Sequence, residues 1–244
     1  MNTFTNLRAF NYDKYKWLCD EMFANWIIDK IVPYGDSVLD VGCGNGFMLP
    51  YYSKSFKYVS AIEPSNYFYR GLVNSERFQN MIIKKASVEE IPFENKSCDI
   101  VIAKSSLHHF GDVKKGLREM MRVAKKLVAV IEVVTPTLDT LDFISKVLPK
   151  KEQGRDIKTI YTKDSLLEEL ERVYCGMFVY QLIYDQYIDV DTWLQFSDLN
   201  RFEKEAIFKT IENANSLIKK ELHIRQYKGK LVMLRRMCLC MLEI

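Results

Sequence analysis

The chain has 244 residues, 48% of them hydrophobic and 27% charged, with 35 Lys and Arg set against 32 Asp and Glu for a net charge of +3. That length is enough for one full core, so a single α/β domain spanning 1–244 is the expected organisation, and the apolar content excludes a disordered chain. So small a positive excess gives no electrostatic case for a nucleic-acid partner, and the run Lys219, Lys220, Arg225, Lys228 and Lys230 reads as a solvated face.

The N-terminal stretch is polar where a secretory signal needs an apolar run, and no apolar stretch reaches the roughly 18 residues of a membrane span. The expectation is a cytoplasmic protein without a membrane partner. Six cysteines, Cys19, Cys43, Cys98, Cys175, Cys238 and Cys240, have neither C-x-x-C pairing nor zinc-like spacing and read as reduced, mostly buried thiols.

In chain order, Trp17, Met22, Phe23, Trp26, Ile27 and Ile31 recur at helical spacing and stop before Pro33, which predicts a helix over 13–31. Next comes SVLDVGCGNGF, Ser37 to Phe47: a strand, a turn with glycines at 42, 44 and 46, and the start of a helix. The runs 58–64, 81–86, 98–104 and 127–134 are short, apolar and rich in β-branched residues, as in strands buried on both faces. Between the last two, Asp112 is placed to cap a helix whose Val113, Leu117, Met120, Met121 and Ala124 share a face. Strands alternating with helices predict parallel β-α-β units. Residues 137–160 read as an irregular, charged insertion on the substrate side. A capped helix from Thr162 follows, and 161–244 completes the sheet with two long strands and a helix near 201–220, one strand antiparallel at the edge.

A strand that feeds a glycine turn presents unpaired backbone N–H groups at the carboxyl edge of the sheet, where α/β folds bind ligands, and Cβ atoms there would obstruct the approach. Dinucleotide enzymes favour G-x-G-x-x-G, whereas Gly42-Cys43-Gly44-Asn45-Gly46 is G-x-G-x-G, two residues after Asp40. LDVGCGNG resembles the first motif of class I S-adenosylmethionine-dependent methyltransferases, and the likeness runs from about Tyr12 to Pro136. It is closest to the small-molecule enzymes of the ubiquinone and menaquinone biosynthesis type. The resemblance implies a Rossmann-like, seven-stranded, mostly parallel sheet with helices on both faces. It divides the chain into an N-terminal lid and helix (1–32), a cofactor-binding core (33–136), the insertion and the C-terminal part.

The resemblance also implies the site. Glu63, 17 residues beyond Gly46 and followed by Pro64, stands where relatives hold the ribose hydroxyls, and a carboxylate has two oxygens to offer a diol. Phe68 matches a position that packs on adenine. KASVEEIPFENKSCDIVIAKSSLHHF resembles the family's third motif, which brings Ser87, Val88 and Glu89 to the adenine. Ser87 departs from the usual aspartate, and AKKLVAV lacks the usual Pro-Gly-Gly turn before the fifth strand. Asp40, with Cys43 in the turn, faces the methionine end of the cofactor, as do the backbone carbonyls of Ala103 and Lys104. Tyr12 and Tyr15 are candidates for an aromatic lid, Tyr12 over the cofactor and Tyr15 toward the substrate.

Methyl transfer needs an in-line nucleophile, dry surroundings and an exit for a proton. His108 and His109, on the loop after the fourth strand, are the candidate bases, with His109 slightly preferred. Phe143, Tyr184, Tyr187 and Trp193 are candidates to line an apolar acceptor pocket, and Glu132 to bind a polar or amino group there. The implied cofactor is S-adenosylmethionine, leaving as S-adenosylhomocysteine, and the implied partner is a small-molecule acceptor, with no metal. Three rivals remain. One is a catalytically idle cofactor-binding subunit. A nicotinamide-dependent dehydrogenase would put Tyr12-x-x-x-Lys16 after the glycine turn, not before it, and a base-modifying nucleic-acid enzyme would carry an Asn-Pro-Pro-Tyr-like tetrapeptide where AKSSLHHF stands. No motif names the acceptor or the oligomeric state.

Overall fold

The apolar runs of the first half fold as five strands: β1 (Ser37–Val41), β2 (Tyr58–Ile62), β3 (Ile82–Lys84), β4 (Cys98–Lys104) and β5 (Ala124–Thr135). The computed structural model describes residues 21–151, 160–174, 179–195 and 199–244. Neighbouring pairs among these five strands run parallel, and β1 sits between β2 and β4. Chain direction across the sheet therefore reverses between β1 and β4, the switch point at which open α/β sheets form a crevice.

The second half adds β6 (Tyr161–Thr162), β7 (Val179–Asp189), β8 (Arg225–Tyr227) and β9 (Lys230–Glu243). The main path is β3-β2-β1-β4-β5-β9-β7, seven strands as the resemblance implies, with β6 beside β5 and β8 beside β9. β9 runs antiparallel to both β5 and β7.

Strand alternation divides the core. Ile100 and Ile102 of β4 enter one cluster with α1 (Glu21–Ile31) and α2 (Leu49–Ser55), while Val101 and Ala103 enter another. That second cluster is covered by α4 (Val113–Val123) and α6 (Lys163–Tyr174); α3 (Asn66–Val73) follows β2. Asp112 caps α4 by accepting from the Lys115 N–H at 2.9 Å. The helix runs straight into β5 at Ala124, so the missing Pro-Gly-Gly turn is a connection of zero length.

Two local expectations are corrected. Residues 137–160 are not irregular throughout, because α5 occupies Leu138–Lys151. Thr137 and Thr140 exchange backbone-to-hydroxyl hydrogen bonds of 2.9 and 3.2 Å at its start, a cap hidden among charged residues. The expected helix 201–220 is two, α8 (Arg201–Glu212) and α9 (Ser216–Glu221), because Asn215 opens a new cap on Ile218 N–H. With α7 (Val190–Gln195) these helices enclose a third apolar cluster containing Trp193, Ile207, Ile211 and Ile218. As expected, α2 begins after the glycine turn, at Leu49, and Gly46 N–H donates to Cys43 O at 3.0 Å within that turn.

Candidate functional site

The three glycines serve different ends. Gly42, Gly44 and Gly46 have φ of +71°, +58° and +75°, left-handed values that side chains resist. A Cβ on Gly42 would stand 2.9 Å from Ser106 Cβ, and one on Gly46 would stand 2.4 Å from Leu72 Cδ2 and 3.0 Å from Phe78 Cζ. At those two positions internal packing is itself a reason for the missing side chain. Only at Gly44 would a Cβ meet nothing within 4 Å. The Gly42 and Cys43 N–H groups donate to Ile62 O at 2.9 and 3.2 Å, fastening the turn to the end of β2.

Two buried acids lie close to the turn. Glu63 is 5% exposed and accepts from Gly44 N–H and Ser65 N–H, each at 2.8 Å, so its carboxylate lies against the turn. Asp40, 3% exposed on β1, points to the same sheet face as Val38 and Ile102. Burial pushes its carboxyl up to about 7; the Lys104 ammonium opposes this and the charge of Glu63 adds to it. Lys104, at the end of β4, reaches over the rings of Phe23 and Phe47 at 5.9 and 6.0 Å. The Cys43 thiol is held well above its ordinary value by burial and the two nearby acids, and stays neutral.

These residues fit an adenosyl sulfonium. Bare backbone at Gly44 leaves room, Glu63 bears on the same turn, and Asp40 is a buried acid whose ionised form a cation favours. Ser105 is a further sign that the sequence did not display. It follows β4 with φ +50°, and its buried hydroxyl has no hydrogen-bond partner among the described residues. Ser106, also missed, donates from Oγ to Val41 O at 2.9 Å and so holds the β4 exit against the glycine turn.

The adenine-side candidates form a hydrogen-bonded strap. Ser87 Oγ donates to Glu89 Oε2, and Glu89 Oε1 accepts from Gly111 and Asp112 N–H at 2.8 and 3.1 Å. Burial acts to raise the Glu89 carboxyl, yet those hydrogen bonds outweigh it and hold it below its ordinary value. Val88 is buried, and together with Phe110 it blocks any Cβ at Gly116 of α4. Half-buried Phe68 lies on the first turn of α3, 5.6 Å from the Tyr67 ring, and Pro64 is exposed beside Glu63. Ala103 is fully buried.

Beyond β4, His108 and His109 occupy one short 3-10 turn, their rings 4.1 Å apart. Glu132, 1% exposed, does not stand open to a substrate as expected. Its Oε1 accepts from Leu107 N–H at 2.9 Å and its Oε2 lies 2.8 Å from His108 Nδ1. The expected aromatic acceptor wall is not one wall. Tyr184 packs on Phe23 and Trp26 at 4.9 and 5.2 Å, whereas Trp193 and Phe143 belong to the third cluster and Tyr187 Oη meets His223 Nδ1 at 2.6 Å. Tyr12 and Tyr15 lie outside the described residues.

A family profile described as "Methyltransferase domain" matches residues 39–131, the stretch that carries the glycine turn, Glu63 and the histidines. An uncharacterized methyltransferase of Mycobacterium tuberculosis is 30% identical over 117 residues, 46% of this chain and 58% of that protein. The demethylmenaquinone methyltransferase of Corynebacterium kroppenstedtii is 29% identical over 112 residues, 45% of this chain and 47% of its own. The chain thus spans about half the length of the curated relatives it matches. The YcgJ protein of Bacillus subtilis shares the fold with a TM-score of 0.76 at 16% identity, covering 90% of this chain and 97% of that one. The open glycine turn and the two buried acids near it thus lie within the segment that matches a methyltransferase domain, on a sheet whose fold is shared with YcgJ.

Proposed function

We propose that the chain moves a methyl group from S-adenosylmethionine to an oxygen, nitrogen or carbon of a small-molecule acceptor and releases S-adenosylhomocysteine. The observation that carries this reading is the open main chain at Gly44 with Glu63 and Asp40 buried close to the turn. When bound, the cofactor supplies the methyl group as an electrophile. Glu63 accepts the ribose hydroxyls, Phe68, Ser87 and Val88 surround the adenine, and Asp40 faces the cationic methionine end together with the Ala103 and Lys104 carbonyls. His108 or His109 takes a proton from the acceptor.

A net charge of +3 supports a small molecule over a nucleic acid. Among the described residues no helix is long and apolar enough to cross a membrane. The test is calorimetry with S-adenosylmethionine and with NAD, followed by transfer from methyl-labelled cofactor into a low-molecular-weight metabolite extract. Binding of the first ligand alone, with label in a small product, is the expected result. Binding of NAD in its place overturns the reading, and binding without transfer makes the chain an idle cofactor-binding subunit.

A further inference from the structure

The β4–β5 ladder ends with Lys104 opposite Ile131, and Ser105 N–H closes it on Ile131 O at 2.6 Å. Glu132 is therefore the next residue up on β5, just past the end of β4, where the chain of β4 turns away through Ser106 and Leu107. There its two oxygens are divided between the Leu107 N–H and His108 Nδ1. Backbone N–H groups only donate, so Oε1 is an acceptor. A carboxylate oxygen against an imidazole nitrogen at 2.8 Å makes Nδ1 the protonated nitrogen in a neutral ring. The Nε2 edge, turned away from Glu132, then carries the lone pair. The His108 side chain is 18% exposed and Glu132 is 1% exposed, so the carboxylate is fixed inside while part of the ring stays open at the surface.

We infer that Glu132 is a positioning residue that holds His108, and not His109, as the proton acceptor for an acceptor molecule bearing O–H or N–H. This rests on the methyl-transfer reading above. With ribose on Glu63 at the end of β2 and the methionine end at Asp40 on β1, the sheet order carries the methyl end onward to β4 and β5, where this pair stands. The acceptor's O–H or N–H bond breaks heterolytically and its proton passes to His108 Nε2. The electron pair stays on the acceptor atom, which forms its new bond to the methyl carbon while the C–S pair remains on sulfur. Glu132 balances the imidazolium that results, and the partly exposed ring returns its proton to water.

Glu132→Gln preserves shape and both contacts but reverses one of them, because the amide NH2 donates to Nδ1 and leaves the proton on Nε2. Long-range proton–nitrogen NMR on the unliganded, histidine-labelled protein at pH 8 reads this without any turnover. The wild type should show Nδ1–H at His108 and Glu132→Gln should show Nε2–H. With methyl-labelled S-adenosylmethionine and a metabolite extract as acceptor pool, Glu132→Gln should transfer at least about a hundredfold more slowly, the usual scale of a general base, while the cofactor Kd from calorimetry stays within about twofold. A wild-type Nε2–H tautomer overturns the proposal even if the variant does not fold, and so does a Glu132→Gln variant with unreduced transfer. Absence of transfer in a wild type that shows Nδ1–H would instead refute the methyl-transfer reading and leave Glu132 as the residue that orients the ring.

Discussion

Asp40 and Glu63 are equally hidden from water, but their surroundings differ. Glu63 is held by two backbone donors, while Asp40 has burial acting against its charge and the Lys104 ammonium favouring it. With its carboxyl raised to about 7, the folded state keeps a proton on Asp40 that the unfolded chain has lost above its ordinary value of 3.8. Its contribution to stability is therefore full below pH 4 and is lost as the pH rises toward 7, with a slope of at most about 1.4 kcal/mol per pH unit. Chemical denaturation across pH 5–7 should show that slope, and Asp40→Asn should remove it. A cofactor cation beside Asp40 favours the ionised form, so binding at pH 6 should release a proton, which appears as a buffer-dependent heat in calorimetry. Glu63→Ala should weaken cofactor binding by about 1–3 kcal/mol, the cost of stranding hydrogen-bond partners. Unchanged affinity would remove Glu63 from the ribose.

At the scale of elements, the glycine turn makes two substitutions with one chemistry behave differently. Gly46→Ala drives a Cβ into Leu72 and Phe78 and should lower stability by about 1–3 kcal/mol. Gly44→Ala meets no protein atom, so only its left-handed backbone, about 1–2 kcal/mol, opposes it. Its larger effect should fall on cofactor affinity, and thermal melts beside calorimetry separate the two variants. The exit of β4 is a second such element. Ser106 ties it to β1, Glu89 ties its far end to the segment after β3, and Glu132 ties its middle to β5. Three anchors of this kind hold the histidine turn rigid at the carboxyl edge of the sheet.

Across the whole molecule the sheet separates two tasks. The crevice at β1 and β4 belongs to two clusters on opposite faces, while α5, α7, α8 and α9 pack with the beginning of β9 around a third. Trp193 lies in that third cluster at 7% exposure. Trp193→Ala should therefore cost about 3–5 kcal/mol in denaturant unfolding, yet leave S-adenosylmethionine affinity unchanged at temperatures where the variant is folded. A loss of cofactor affinity without a loss of stability would return Trp193 to the site.

Local chemistry was enough for the sequence to determine the strands of the first half, the cap at Asp112, the glycine turn and the acid after β2. Each is specified by residues close in the chain, through alternation, a capping side chain or a left-handed backbone. What lies between distant residues was decided only by the tertiary structure. Leu72 and Phe78 need Gly46 bare, Ser106 needs Gly42 bare, and Glu132 reaches back 24 residues to His108 and so makes it, rather than His109, the anchored ring. The aromatic residues of the second half were divided between two clusters for the same reason. A side chain's spacing shows which face of its own element it occupies, but what it meets there depends on the element that packs against that face.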